Sequence, residues 1–169
     1  PLPLTPGGPM LAVGGSVAAS AKRAARLGLP LFAGHNDPEL GEIYQAECAR
    51  LGHEGGWTMI PSGPMFVHVS DDPERDWARI GPIALDDAAV MASWQTAGNR
   101  SLVDSAATTL HDLRLEGTYR VVTPDECVAL CREVHTLTLH PLMGGLDPDL
   151  SWASLELFES DVLPRLRAN

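Results

Sequence analysis

Apolar residues along this chain come in two rhythms. Short unbroken runs, Met10 to Val13, Leu29 to Ala33 and Met65 to Val69, are strand-sized and too compact for helices. Between them lie longer stretches whose apolar positions recur three and four residues apart. Ala18 to Leu27 is one such predicted helix, with Ser16 as its N-cap and Gly28 as its C-cap. Pro38 to Leu51 is another, carrying Leu40, Ile43, Tyr44, Cys48 and Leu51 on one face and stopping at Gly52. "SDDPERDWARIG" opens a third helix, capped by Asp71 or Asp72 with Pro73 in its first turn. Pro82 is expected to interrupt it, with a second helical segment running to about Gln95. Residues 97–109 are small and polar and predict a loop excursion. "TPDECVALCREV" predicts a helix with Thr123 as N-cap and Pro124 at the first helical position. "HTLTLHPL" alternates and predicts a fourth strand. Asp147 and Pro148 then start a closing helix with Trp152, Leu155, Phe158 and Val162 on one face.

Strand and helix thus alternate about four times. Continuous apolar strands joined through helices imply a parallel sheet with right-handed crossovers, an α/β chain read as one domain over residues 1–169. No internal repeat or low-complexity tract interrupts the order. Between Val134 and His135 the predicted helix and fourth strand abut. A helix needs a turn before a strand running the other way, so a loop is expected to be missing there.

Charge narrows the partners. Twelve Lys/Arg against 22 Asp/Glu give a net charge of -10, and no basic cluster stands out, which argues against nucleic acid and anionic membranes. No apolar run approaches the roughly 20 residues that span a bilayer. Three cysteines cannot all pair within the chain, and none falls in a CxxC or a Cys/His metal pattern. They read as reduced thiols, with a cytoplasmic location and no metal site expected. The opening "PLPLTPGGP" lacks a leader pattern and reads as a connecting loop, so a preceding segment is expected.

The stretch most open to chemistry is "VGGSVAAS". Gly14 and Gly15 have no Cβ to hold a ligand away, and the helix after Ser16 presents unpaired N–H groups and the positive end of its dipole. The Ser16 and Ser20 hydroxyls add donors. From the residues alone, this is either a phosphate seat or a tight strand-to-helix turn with an ordinary cap. His35 and His140 follow the second and fourth predicted strands, on the side where ligands bind in parallel α/β folds, and are candidate substrate contacts or plain surface. His68, inside a strand, reads as a packed, hydrogen-bonded core residue. Met143-Gly144-Gly145 is a flexible turn after the last strand. Asp71-Asp72 reads as a cap and Asp86-Asp87 as a solvated helix face. Trp77, Trp94 and Trp152 read as packing residues. No acid/base carboxylate pair or Ser-His-Asp pattern is apparent.

Four segments carry a resemblance. "LAVGGSVAASAKRAARLGLPLF", "FVHVSDDPERDWARIGPIALDDAAVMASW", "GTYRVVTPDECVAL" and "LTLHPLMGGLDPDLSWASLELFESDVLPRLR" resemble, in order, the second half of luciferase-like flavin-dependent oxidoreductases. The resemblance implies a (β/α)8 TIM-barrel type of fold, with only about the last four β/α units in this chain. It implies FMN or the deazaflavin coenzyme as cofactor, with Gly14, Gly15, Ser16, Val17 and Ser20 holding its phosphate, and oxidation or monooxygenation of a small organic substrate. The half of the barrel that carries the family's usual catalytic histidine has no counterpart here, so no catalytic residue is assigned. Half a barrel leaves two sheet edges and an interior face open, and the expected partner is a second copy of the chain or an amino-terminal half-barrel. The alternative is a non-catalytic half-barrel that serves as an interaction or structural partner.

Overall fold

The computed structural model describes residues 8–96, 100–101, 103–134 and 136–168. Expectations resting on residues 1–7, 97–99, 102 and 135 lie outside the described residues, among them the opening loop and the Val134–His135 junction. The chain is mixed α/β with parallel strands, in two compact units: Pro1–Pro61 with Thr96–Leu102, and Ser62–Gln95 with Val103–Asn169.

The first unit alternates strictly: β1 (Val13–Gly15), α1 (Ala18–Leu27), β2 (Leu31–Ala33), α2 (Pro38–Leu51) and β3 (Thr58–Met59), with the strands parallel in the order β1-β2-β3. Both helices end where predicted, because Gly28 (φ +64°) and Gly52 (φ +80°) turn left-handed, a conformation other residues enter at a cost. Ala21, Ala24 and Ala25 on α1 let it pack closely with Leu40, Tyr44 and Cys48 of α2 over Leu31 and Ala33. Tyr44 fastens the surrounding loops: its hydroxyl donates to the Leu29 carbonyl (3.1 Å) and accepts from the Gly56 N–H (2.7 Å). Glu47, 8% exposed at its side chain, lies between Arg50 (2.8 Å) and Arg26 (3.1 Å), which hold its carboxyl down to about 2. The opposite face of this sheet carries Gly14, Phe32 and Met59 in register, and Phe32 is 47% exposed. β3 lies in the stretch between Gly52 and Met65, to which the sequence pattern assigns no strand.

In the second unit β4 (Phe66–Val69) pairs in parallel with β5 (Tyr119–Val122). Phe66 and Tyr119 face a core with Ile80, Ala84 and Leu113. Val67, Val69 and Val122 face another with Cys127, Val128 and Val162. Helices therefore cover both faces of the pair: α3 (Pro73–Ser93) and α4 (Leu110–Glu116) one side, α5 (Pro124–Glu133) the other. The chain closes with a short 3-10 turn at Met143–Gly145, α6 (Pro148–Leu157), a π turn (Phe158–Val162) and α7 (Leu163–Arg167).

Three expectations are corrected. Pro82 does not interrupt α3; the helix runs through it, since Ile80, Ala84 and Ala88, all buried, hold both halves to one core and offset the lost hydrogen bond. The strand predicted after the helix at Thr123 is not formed: residues 136–140 adopt no regular strand, their link to β4 is one backbone bond, from the Val67 N–H to the Thr138 carbonyl (3.1 Å), and the strand that pairs with β4 is β5. Trp77 is buried, but Trp94 and Trp152 are each 63% exposed, because Trp94 lies past the last turn of α3 and α6 turns Leu150, Ser151 and Ser154 inward instead.

Candidate functional site

At the first junction β1 extends through both glycines, so Gly14 and Gly15 are the end of the strand rather than a loop after it. Their open side chains do different work. A Cβ on Gly14 would meet nothing within 4 Å, whereas one on Gly15 would fall on the Cβ and hydroxyl of Ser20 in the first turn of α1. Gly15 is thus the place where the helix leans on the strand. Gly34, whose N–H donates to the Gly15 carbonyl (3.1 Å), is constrained in the same way by the Ser16 hydroxyl and the Arg100 carbonyl.

Ser16 is not the helix cap. Its hydroxyl donates to the Arg100 carbonyl, and the cap position falls to Val17, whose side chain has no hydrogen bond to offer. Nor does the first turn of α1 contain an acidic residue. Among the described residues every other α-helix that starts from a loop is closed by its own side chains: Asp37, Asp72, Thr109, Thr123 and Asp147 each accept a backbone N–H, and each first turn carries an acid. α1 instead begins with two exposed alanines, Ala18 and Ala19, with Ser20 behind them, and the exposed Lys22 and Arg23 follow. Such an end draws an anion by N–H donors and dipole together.

His35 lies just past β2 in the same unit. Its side chain is 13% exposed, Nε2 is 3.5 Å from Asp37 Oδ2, and the buried Nδ1 has no hydrogen-bond partner among the described residues. His140 belongs to the second unit, exposed and with a left-handed backbone (φ +45°).

The second unit holds a polar cluster that the sequence reading missed. At the end of β4, the Ser70 hydroxyl donates to Asp76 Oδ2 (2.5 Å) and accepts from the Asp72 N–H (3.0 Å). Arg75 grips both Asp76 oxygens at 2.9 and 3.2 Å, which with the Ser70 bond holds that carboxyl below the usual carboxylate range. His68 is buried as predicted but makes no hydrogen bond; its Nε2 stands 3.7 Å from Asp76 Oδ2, beyond hydrogen-bond length, and burial lowers its pKa. Asp87 is also more than solvated helix surface, since it accepts a 2.6 Å bond from Tyr119, whose pKa burial then pushes up. The signal was present: in a strand positions 68 and 70 share one face, and a helix starting at Pro73 brings residue 76 back over the strand end.

No family model matches the chain, and no curated protein matches its sequence. Among the described residues no group of three His, Cys, Asp or Glu is placed to hold a metal, and no helix is long and apolar enough to cross a membrane.

Proposed function

We propose that this chain is the phosphate-holding part of a luciferase-like flavin-dependent oxidoreductase, with FMN or the deazaflavin coenzyme as cofactor and a small organic molecule as substrate. The observation that carries this reading is the start of α1, the one loop-to-helix start among the described residues left without a side-chain cap or an acid. It follows a strand end in which Gly14 leaves open space, while Gly15 beside the helix is covered by Ser20. The donor set suits a phosphate: backbone N–H groups of the first turn, the Ser20 hydroxyl and the field of Lys22 and Arg23. When bound, the reduced flavin would supply hydride transfer or oxygen activation. The chain's own part is to anchor and orient: the first-turn N–H groups donate to the phosphate, and Ser16, fixed on Arg100, keeps the neighbouring loop in place. His35, in the same unit and with one ring nitrogen without a hydrogen-bond partner among the described residues, is the candidate for a substrate contact there.

The barrel architecture is part of the same proposal. The Gly14–Phe32–Met59 face would line the barrel interior, and a second copy or an amino-terminal half would close it. The β4–β5 pair, covered on both faces, has a doubly wound type of cover. The exposed Phe32 in mid-sheet also favours a second reading, an interaction half-barrel without cofactor.

Titration with FMN, the deazaflavin coenzyme and riboflavin, followed by flavin fluorescence, tests the first reading. FMN or the deazaflavin coenzyme is expected to bind at least about tenfold more tightly than riboflavin, which lacks the phosphate, and inorganic phosphate should compete. Binding of neither FMN nor the deazaflavin coenzyme more tightly than riboflavin, or no binding of any of them, would overturn it; self-association without flavin binding would leave the second reading standing.

A further inference from the structure

A cavity of about 380 Å³ opens at the carboxyl end of β4, within the second unit and separate from the α1 site. Its volume lies at the small end of the range for ligand pockets. His68, Ser70, Asp76 and Ser154, all at most 6% exposed, line it from the buried side, and the exposed Asp71 and Glu156 also line it. Buried polar groups normally find partners, and here two do so only in part. His68, 3% exposed, makes no hydrogen bond to a described residue, and the Ser154 hydroxyl accepts from the Val69 N–H (2.7 Å) while donating to none of them.

The charge is unbalanced in one direction. Arg75 is committed to Asp76, so that pair is neutral as a unit, while the side chains of Asp71 and Glu156 have neither ion pair nor hydrogen bond among the described residues. The cavity therefore offers two free carboxylates, an imidazole and a hydroxyl, and repels anions. The spacing of its acids and histidine does not suit a metal ion. A ligand that satisfies the two carboxylates and the imidazole is a positively charged hydrogen-bond donor of organic size.

We propose that this cavity binds a small organic ammonium ion, its N–H groups donating to His68 and to the carboxylates of Asp71 and Glu156. Selectivity comes from charge plus donor count: an alcohol of equal length supplies too few donors and no charge, and a carboxylate is repelled.

The test is isothermal titration of the intact chain with 1,4-diaminobutane, with 1,4-butanediol as the neutral match. Saturable one-to-one binding of the diamine, absent for the diol, is expected. Asp71→Asn combined with Glu156→Gln should weaken it about tenfold, as two partly exposed charge contacts would. Asp86→Asn combined with Glu133→Gln removes the same charge from exposed acids that do not line the cavity, and should leave the affinity unchanged. Equal weakening by both double variants would mean a general attraction to the acidic surface and overturn the proposal. So would equal binding of diol and diamine, or no binding at millimolar diamine. Because no flavin is present, the outcome does not depend on the reading of the α1 site.

Discussion

Two strand–helix junctions in this molecule share one backbone plan and have opposite chemistry. At β1–α1 the chain reads Gly-Gly-Ser-Val, the helix start is uncapped, and no carboxylate lies in its first turn. At β4–α3 it reads Ser-Asp-Asp-Pro; Asp72 accepts the Arg75 N–H (3.1 Å), Ser70 links the loop to Asp76, and Arg75 neutralises Asp76. The surroundings follow suit. The first unit carries five Lys/Arg and five Asp/Glu, while the second carries seven against seventeen and so the whole net charge of -10. The dipole of a helix start is thus a common resource. Whether it serves an outside anion or the fold itself is decided by whether the chain supplies its own carboxylates.

Breaking each junction should expose that difference, most strongly at Gly15. Gly15→Ala places a Cβ against the Cβ of Ser20, not a movable tip, so α1 must shift; a loss of about 3 kcal/mol in urea unfolding is expected. Adding Ser20→Gly should restore most of it. A Gly15→Ala variant as stable as the parent would mean that Gly15 does not set the approach of helix to strand. Asp76→Ala comes next, at about 2 kcal/mol, since it strands the buried Ser70 hydroxyl and frees Arg75.

Acid should separate the two units in the same order. His68 and Asp76 both have pKa values below their ordinary ones in the fold, so the unfolded chain binds more protons and stability falls with pH. For His68 the loss begins as pH drops below about 6.5, and for Asp76 below about 4. In the first unit Glu47 has the same sign but a window below that of His68, its contribution lost between its ordinary 4.5 and about 2. Hydrogen exchange read separately over β4 and over α1–α2 should therefore show β4 losing protection first on acidification. Simultaneous loss would mean that His68 is not held uncharged by its surroundings.

How much of this was legible in the sequence depends on where the signal resides. α1 and α2 were found to the residue because glycines stop them, and Asp72-Pro73, Thr123-Pro124 and Asp147-Pro148 mark helix starts through local chemistry alone. The strands were less legible, since pairing is non-local. β5 hides in four residues after a Gly-Thr turn, while residues 136–140, which alternate better, make a single backbone bond to β4. The α1 site was half legible: its residues were named, but Ser16 turns to Arg100, 84 positions away, and Gly15 is occupied by Ser20. The Ser70–Asp76–His68 cluster went unread because each member has an ordinary explanation when taken alone.

The smallest change is the most informative about the comparison, because it converts one junction into the other. Val17→Asp gives α1 the cap that α2, α3 and α6 already have. Val17 has the extended backbone of a cap residue (φ -139°, ψ 157°), close in φ to that of Asp37, so the carboxylate can reach a first-turn N–H without backbone change. The fold should gain about 1 kcal/mol. The same carboxylate occupies the donors and places a negative charge where a phosphate would go, so FMN affinity should fall at least tenfold while stability rises. A gain in stability together with unchanged FMN binding would place the phosphate elsewhere. A loss of stability would mean that the start of α1 is kept free of acid for reasons of packing, and the contrast between the two junctions would then be one of shape rather than of charge.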